Sequence, residues 1–538
     1  MCTAHYPGAP PGCNNGSGFL RDRKPRHTKD GCMTQEALSP ELEAVVARAA
    51  AAAAPLAATT AEHRARALVK IADALEANKA KLVEIALRET GLTEARLSGE
   101  VTRTAVQLRL FADTIVDGGY LDARIDHADP DFALGARPDI RRTHIPVGPV
   151  INFSASNFPF AFSVMGGDSA AILAAGCPLI VKAHSSHADL SDATAEVAAT
   201  AITEAGLPEG TFQLIHGREA GVEVLKDPRI KAGSFTGSIR VGRLLADIAA
   251  NRPAPIPFFG ELGSVNPVFV TLDAIAERAD EIASGYLTSV SGSAGQLCTK
   301  PGFVFIPAGS SLPETVAAKS GDAPEHRLLD PRIASSYDER RTAVLGTAGA
   351  RAVIEGGIRF DDDGQGWATP TIVAISLDDF RAGREALLEE SFGPLSILVE
   401  VPEGTDLAAL MPEFYEGNLS GTIHLSEAEA TGTTENAEQL RALVAALANQ
   451  VGRVLFNGWS TGVAVTPAQQ HGGPWPATTN DSSTSVGTAA ITRFLRPVAF
   501  QNAPAALLPE ALRDDNPLGI RQQLAPAGES QSWGARWR

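Results

Sequence analysis

Cysteine is scarce: the 538 residues hold five, at positions 2, 13, 32, 177 and 298. So sparse and odd a set makes no disulfide framework and fits a reducing, cytoplasmic compartment. Cys2, Cys13 and Cys32, taken with His5 and His27, match no zinc spacing, and no metal is expected. Basic charge is short as well, 46 Lys and Arg against 63 Asp and Glu, for a net charge of -17. That balance disfavours nucleic acid and anionic membrane as partners. The most membrane-like run, Val164 to Val181, is interrupted by Asp168, glycines and Pro178, and reads as a buried helix followed by a strand. No apolar signal-peptide core opens the chain. There is no internal repeat and no G-x-G-x-x-G phosphate turn. The near P-loop at Gly237 to Leu244 lacks the Lys and Ser/Thr that hold phosphate and magnesium, which argues against an NTPase.

What is present is an ordinary globular balance, 44% hydrophobic and 20% charged, at a length that allows two or three domains. Residues 1–32, rich in Gly, Pro and basic residues, predict a disordered leader, with Met33 as the expected functional start. Ser39-Pro40-Glu41 is a helix start, and the apolar spacing through residue 125 is helical. Residues 141–153 are extended. From residue 150 the pattern is strand, loop and helix in turn, with strands predicted at 178–182, 210–215, 230–235 and 256–259. That alternation predicts a mostly parallel sheet covered by helices, with ligands at the carboxyl ends of its strands. A second α/β pattern covers 263–455, and a polar, proline-rich tail follows residue 500.

Several short motifs carry candidate chemistry. Phe235-Thr236-Gly237-Ser238 ends a strand and opens a helix, either a generic anion site or plain turn chemistry. Cys298 sits in Ser293-Ala294-Gly295-Gln296-Leu297-Cys298-Thr299-Lys300, as a buried filler or as a nucleophile approachable because of its glycines. Lys300 could favour its thiolate. Glu261, between glycines at a strand end, is a candidate base or a loop acid. Asn157, in Ser156-Asn157-Phe158-Pro159, could hold an oxyanion or cap a turn. Glu389-Glu390-Ser391-Phe392-Gly393-Pro394 pairs an acid with an aromatic before a turn.

Taken in order and at their spacing, these motifs together with Val181-Lys182 resemble the aldehyde dehydrogenase superfamily over roughly residues 40–500. The resemblance implies an α/β fold: a Rossmann-type cofactor domain, an α/β catalytic domain and a β oligomerisation arm. The corresponding segments are 33–262 for NAD(P) binding, with arm residues near 126–150, then 263–455 for catalysis. Residues 456–538 return to the cofactor domain, the oligomerisation segment and the tail. Carried over, Cys298 is the nucleophile, Glu261 the hydrolytic base and Asn157 the oxyanion donor. Lys182 would bind the adenosine ribose, Glu390 the nicotinamide ribose, and Phe392 would pack near the nicotinamide. Gly237 and Ser238 would face the pyrophosphate. Retention of Glu261 argues against the CoA-acylating branch. A homodimer or homotetramer is implied.

Glu261-Leu262-Gly263-Ser264, Lys182-Ala183-His184-Ser185-Ser186-His187, Gln470-His471-Gly472-Gly473-Pro474 and Arg493-Phe494-Leu495-Arg496-Pro497 look like the branch acting on 2,5-dioxopentanoate. By analogy with a related NADP-preferring fatty-aldehyde enzyme, Lys182, Ser185 and Arg218 would grip a 2′-phosphate. NADP is then favoured over NAD, and His471 is placed near the nucleophile. His184 and His187 otherwise read as a solvated loop, and His471 as a turn residue. A keto-acid substrate needs a cation, and Arg103, Arg141 and Arg142 are the candidates. Two alternatives stay open: a dehydrogenase of medium or long aliphatic aldehydes, and a catalytically silent cofactor-binding protein.

Overall fold

Ser39 starts the first helix as its sequence predicts: its hydroxyl accepts from the Leu42 amide at 3.3 Å, with Pro40 in the first turn. The computed structural model describes residues 38–538. The expected leader, Met33, Cys2, Cys13 and Cys32 lie outside the described residues. Four helices follow one another: α1 (Pro40–Ala57), α2 (Ala61–Ala77), α3 (Lys79–Thr90) and α4 (Glu94–Asp117). Leu97, Val101, Leu108, Phe111 and Ile115 of α4 recur at helical spacing and pack into one core with Leu68, Ile71 and Leu75 of α2. Arg96, Glu100 and Arg103 share another flank of α4, four and three residues apart.

The chain then forms β1 (Ala123–Asp126) and β2 (Ile140–Pro146) before entering the first α/β unit. That unit runs β3 (Val150–Phe153), α5 (Gly167–Ala175), β4 (Leu179–Lys182), α6 (Ala188–Glu204), β5 (Phe212–Ile215), α7 (Arg218–Lys226), β6 (Ala232–Thr236), α8 (Ile239–Ala250) and β7 (Phe258–Glu261). Its five strands are all parallel in the order β5-β4-β3-β6-β7. The order reverses at β3, which opens a crevice at the carboxyl ends. The run from Val164 to Val181 is the wholly buried α5 followed by β4. Among the described residues, no helix is long and apolar enough to cross a membrane.

Strand starts lie later than the apolar pattern suggests. Gly210 and Thr211 belong to a turn closed by the Thr211 hydroxyl on Pro208 O, and Ile230 to one closed on Asp227 O. The strand expected at 256–259 begins at Phe258 and extends to Glu261, which pairs with Thr236 of β6. Glu261 is therefore fixed by a sheet rather than carried on a loop.

The second unit contains β8 (Val268–Val270), α9 (Leu272–Ser291), β9 (Phe303–Pro307), β10 (His326–Arg327), β11 (Arg351–Ile354), β12 (Gly357–Phe360), β13 (Gly366–Thr369), β14 (Thr371–Ser376), β15 (Leu395–Val401), β16 (Asn418–His424) and β17 (Val451–Phe456). Seven of these strands make one sheet, β11-β14-β15-β9-β8-β16-β17, antiparallel only at β11. Beyond them, β18 (Leu495–Gln501) and β19 (Gln522–Ala525) join the first two strands as β18-β2-β1-β19. The stretch after residue 500, read from its composition as a polar tail, instead supplies the end of β18 and all of β19 to this sheet, hereafter the arm. Leu508, Ala511, Leu512 and Ile520 bury a small core against Ala123.

Candidate active site

Cys298 stands on a loop that the chain can reach only through a left-handed turn. After α9, Ser293 (φ 55°), Ala294 (φ 55°) and Gly295 (φ 66°) all have positive φ, which is costly for the two residues that carry a Cβ. A Cβ at Gly295 would run into the Gly393 carbonyl, so only glycine fits there. Asn266 Nδ2 then ties down the Cys298 carbonyl at 2.8 Å and the Lys300 carbonyl at 3.0 Å. Lys300 does not serve the sulfur as the sequence suggested. Its Nζ donates to Leu395 O, and burial lowers its pKa to about 8.

The half-buried Cys298 faces two buried partners. Its sulfur lies 3.7 Å from His471 Nε2, and that nitrogen lies 2.7 Å from Glu261 Oε1. The other Glu261 oxygen accepts from the Ser485 hydroxyl. Burial pushes the Glu261 carboxyl up, but His471, Ser485 and Arg493 outweigh it and hold the group below the usual carboxylate range. Burial, followed by the Glu261 and Glu390 charges, pushes the Cys298 thiol well above its ordinary value. The resting nucleophile is therefore a thiol beside a carboxylate. His471 Nε2 thus lies between the sulfur and the Glu261 carboxylate.

Asn157 lies beyond the end of β3. Its Nδ2 donates to Gln296 O at 2.9 Å, which places the amide beside the cysteine loop. One hydrogen makes that bond, and the second remains for a substrate oxygen.

A cleft of about 520 Å³ runs from Cys298, Asn157 and Phe162 to Lys182, Ser185 and Arg218. Lys182 ends β4. Gly237 and Ser238 link β6 to α8, and Ser238 precedes that helix without a side-chain cap bond, leaving its first amides to an outside acceptor. Glu390 and Phe392 line the same cleft nearer Cys298. Burial, opposed by Lys300, raises the Glu390 carboxyl to about 7. A Cβ at Gly263 would overlap that carboxyl, so the glycine makes room for it. Cations at one end, free amides in the middle and a carboxyl with an aromatic at the other end are what a dinucleotide needs.

The structure also corrects the sequence reading. His187 is fully buried and its Nε2 meets Ala155 O at 2.9 Å, so it does not belong to a solvated loop, whereas the half-buried His184 lines the cleft, where burial pushes it down to about 3. Arg141 is paired with Asp139 and Asp514, and Arg142 with Asp122, all in the arm and away from the nucleophile. Of the three candidate cations only Arg103 comes near Cys298, close enough for the two charges to interact. Sequence reasoning missed several residues that complete the site. Arg332 sits beside Lys182 and Ser185, and Ser485 holds Glu261. Arg493 forms a buried 2.6 Å pair with Asp168, and Arg96 donates to Asn157 O at 2.9 Å.

The family model for aldehyde dehydrogenases matches residues 14–493. The chain belongs to the aldehyde dehydrogenase family. This aldehyde dehydrogenase is 41% identical over 466 residues to the alpha-ketoglutaric semialdehyde dehydrogenase of Acinetobacter baylyi, covering 86% of each chain. It is also 41% identical over 462 residues to alpha-ketoglutaric semialdehyde dehydrogenase 2 of Azospirillum brasilense, covering 85% of this chain and 86% of that one. Among solved structures it resembles aldehyde dehydrogenase 21 of Physcomitrella patens in complex with succinate. The TM-score is 0.71 at 21% identity, over 86% of this chain and 91% of that one, a likeness of fold. The enzyme is accordingly an NAD(P)-dependent oxidoreductase of aldehydes.

Proposed function

We propose that this enzyme oxidises 2,5-dioxopentanoate (α-ketoglutarate semialdehyde) to 2-oxoglutarate by a hydrolytic route. The observation that carries the chemistry is the buried contact chain from Cys298 through His471 to Glu261, at 3.7 and 2.7 Å. The names of the two relatives at 41% identity support the substrate.

Glu261 takes the Cys298 proton, and the His471 N–H supports the sulfur as it becomes negative. The sulfur adds to the aldehyde carbon. The new oxyanion is received by the free Asn157 Nδ2 hydrogen and the Cys298 amide. The bound nicotinamide, when present, supplies the hydride acceptor that leaves an acyl group on the sulfur. Glu261, once it has passed that proton to solvent, takes a proton from water, which attacks the acyl carbon; the carbon–sulfur bond breaks, the acid leaves, and the sulfur takes the proton back from Glu261. Lys182 and Glu390 would hold the two riboses, the amides after Gly237 and Ser238 the pyrophosphate, and Phe392 the nicotinamide ring.

NADP is favoured. Lys182, Ser185, Arg218 and Arg332 converge at the far end of the cleft, where burial and then the neighbouring arginines lower the Lys182 pKa. A dianionic phosphate would relieve that repulsion. A homodimer or homotetramer built through the arm fits the exposed Leu524, Trp533 and Trp537. The test is a panel of 2,5-dioxopentanoate, shorter oxo acids and a series of aliphatic aldehydes, run with NAD+ and NADP+. The highest kcat/KM is expected for 2,5-dioxopentanoate with NADP+. No turnover of any oxo acid would refute the substrate, and a kcat/KM that climbs with alkyl length would assign the enzyme to aliphatic aldehydes.

A further inference from the structure

We propose that Arg103 of α4 and Arg453 of β17 together receive the substrate's carboxylate while its aldehyde carbon is at Cys298. The inference rests on the oxo-acid reading above. Among the described residues, Arg96, Arg103 and Arg453 lie near enough to Cys298 to interact with a negative charge formed on its sulfur. None of the three lines the cofactor cleft. Their hydrogen bonds separate them. Arg96 is already committed: it donates to Ser293 Oγ, to Asn157 O at 2.9 Å and, more weakly, to Glu100 at 3.5 Å. Glu100 in turn accepts from the Phe160 and Ala161 amides, both at 2.9 Å. Arg96 therefore positions the Asn157 segment.

Arg103 and Arg453 are anchored on one side only. Arg103 Nη2 reaches Val463 O at 3.5 Å, its guanidinium lies 5.3 Å over the Phe162 ring, and its Nη1 is buried without a hydrogen-bond partner. Arg453 donates to Gly462 O at 3.1 Å and Ser460 O at 2.6 Å, and its Nε is buried without a partner. The segment at Ser460 to Val463 thus anchors both guanidinium groups, Arg103 from α4 and Arg453 from β17. A buried guanidinium N–H with no acceptor is unfavourable, and a carboxylate supplies the missing acceptors with matching charge. Phe162, which borders Cys298 in the cleft, is the surface on which Arg103 lies, so the carboxylate would sit within one small molecule's length of the sulfur.

The experiment compares kcat/KM for 2,5-dioxopentanoate with that for pentanal, which has the same chain length and no charge. The wild-type enzyme is expected to favour the oxo acid strongly. Arg103→Gln and Arg453→Gln should each lower that ratio on the order of 10-fold or more, mainly through KM for the oxo acid. Arg103→Lys should recover part of the loss. Arg96→Gln should lower both substrates alike. Equal losses on both substrates in Arg103→Gln and Arg453→Gln, or no change, would overturn the assignment while leaving the oxo-acid activity intact. A wild-type ratio near one would instead refute the substrate reading itself. Should a variant fail to fold, inhibition of wild-type pentanal oxidation decides. Glutarate is expected to compete with pentanal and uncharged glutaramide is not; glutarate that does not compete overturns the proposal.

Discussion

Replacing His471 by Ala tests the centre of the site. In the structure, Nε2 is the ring nitrogen that faces both the sulfur and Glu261, while Nδ1 is buried without a partner. The substitution removes the N–H that meets the thiolate as it forms. It also removes one of the three partners that hold Glu261 below the usual carboxylate range, and burial, the largest influence on that group, then raises its pKa. A hydrogen bond to a charged group contributes about 1.5–3 kcal/mol, roughly one to two factors of ten in thiolate formation. The assay is the rate of Cys298 alkylation by iodoacetamide against pH, resolved by peptide mass spectrometry so that Cys2, Cys13, Cys32 and the buried Cys177 do not contribute. The apparent thiol pKa should rise by about one to two units, and kcat/KM should fall on the order of 10- to 100-fold. His471→Gln, which keeps an N–H donor, should fall less. An alkylation profile that matches the wild type, in a variant with an unchanged melting temperature, would refute the role assigned to Nε2.

Glu390 gives a pH prediction of definite sign. Its folded pKa, about 7, lies above the ordinary 4.5, so the folded state holds the proton more tightly. Stability therefore falls as pH rises through that window, by at most about 3 kcal/mol, and Glu390→Gln removes the slope. The melting-temperature advantage of Glu390→Gln over wild type should grow between about pH 5 and 7.5, and a constant difference would contradict it. Arg493→Met should cost about 3–5 kcal/mol in urea unfolding, because it strands the buried Asp168 carboxylate; a loss under about 1 kcal/mol would show the pair to be dispensable. Arg218→Ala combined with Arg332→Ala should raise KM for NADP+ on the order of 10-fold and change KM for NAD+ little, with the difference shrinking at high salt.

The parallel sheet and the strand-end positions of Lys182 and Glu261 are legible in the sequence because short apolar runs alternating with helical spacing admit few other arrangements. Cys298 and Asn157 are legible because glycine, proline and small residues mark their loops. The cations that complete the site are not. Arg96 lies 197 residues from Ser293 and Ser485 lies 224 from Glu261, and no local period links such pairs. Arg103, Arg141 and Arg142 have equal standing in the sequence. They differ only once the arm gives the last two their own aspartates. His184 and His187 look like loop residues because the turn they occupy is polar. The fold then turns His187 inward against Ala155 O, while Ser185 beside it stays exposed.

Ser264, where the family usually has a second glycine after Glu-Leu, shows how a sequence departure acquires a physical reason. Its hydroxyl donates to Asn266 Oδ1 at 2.9 Å and accepts from the Leu419 amide at 3.0 Å. Asn266 in turn holds the carbonyls of Cys298 and Lys300. One hydroxyl therefore links the strand end that carries Glu261, the start of β16 and the loop that carries the nucleophile, all in a buried setting where each partner must be satisfied. A glycine at 264 would leave Asn266 Oδ1 with only its bonds to Ser420 and would leave the Leu419 amide without its acceptor. The spacing between base and nucleophile is thus set by the same polar network that joins the two α/β regions.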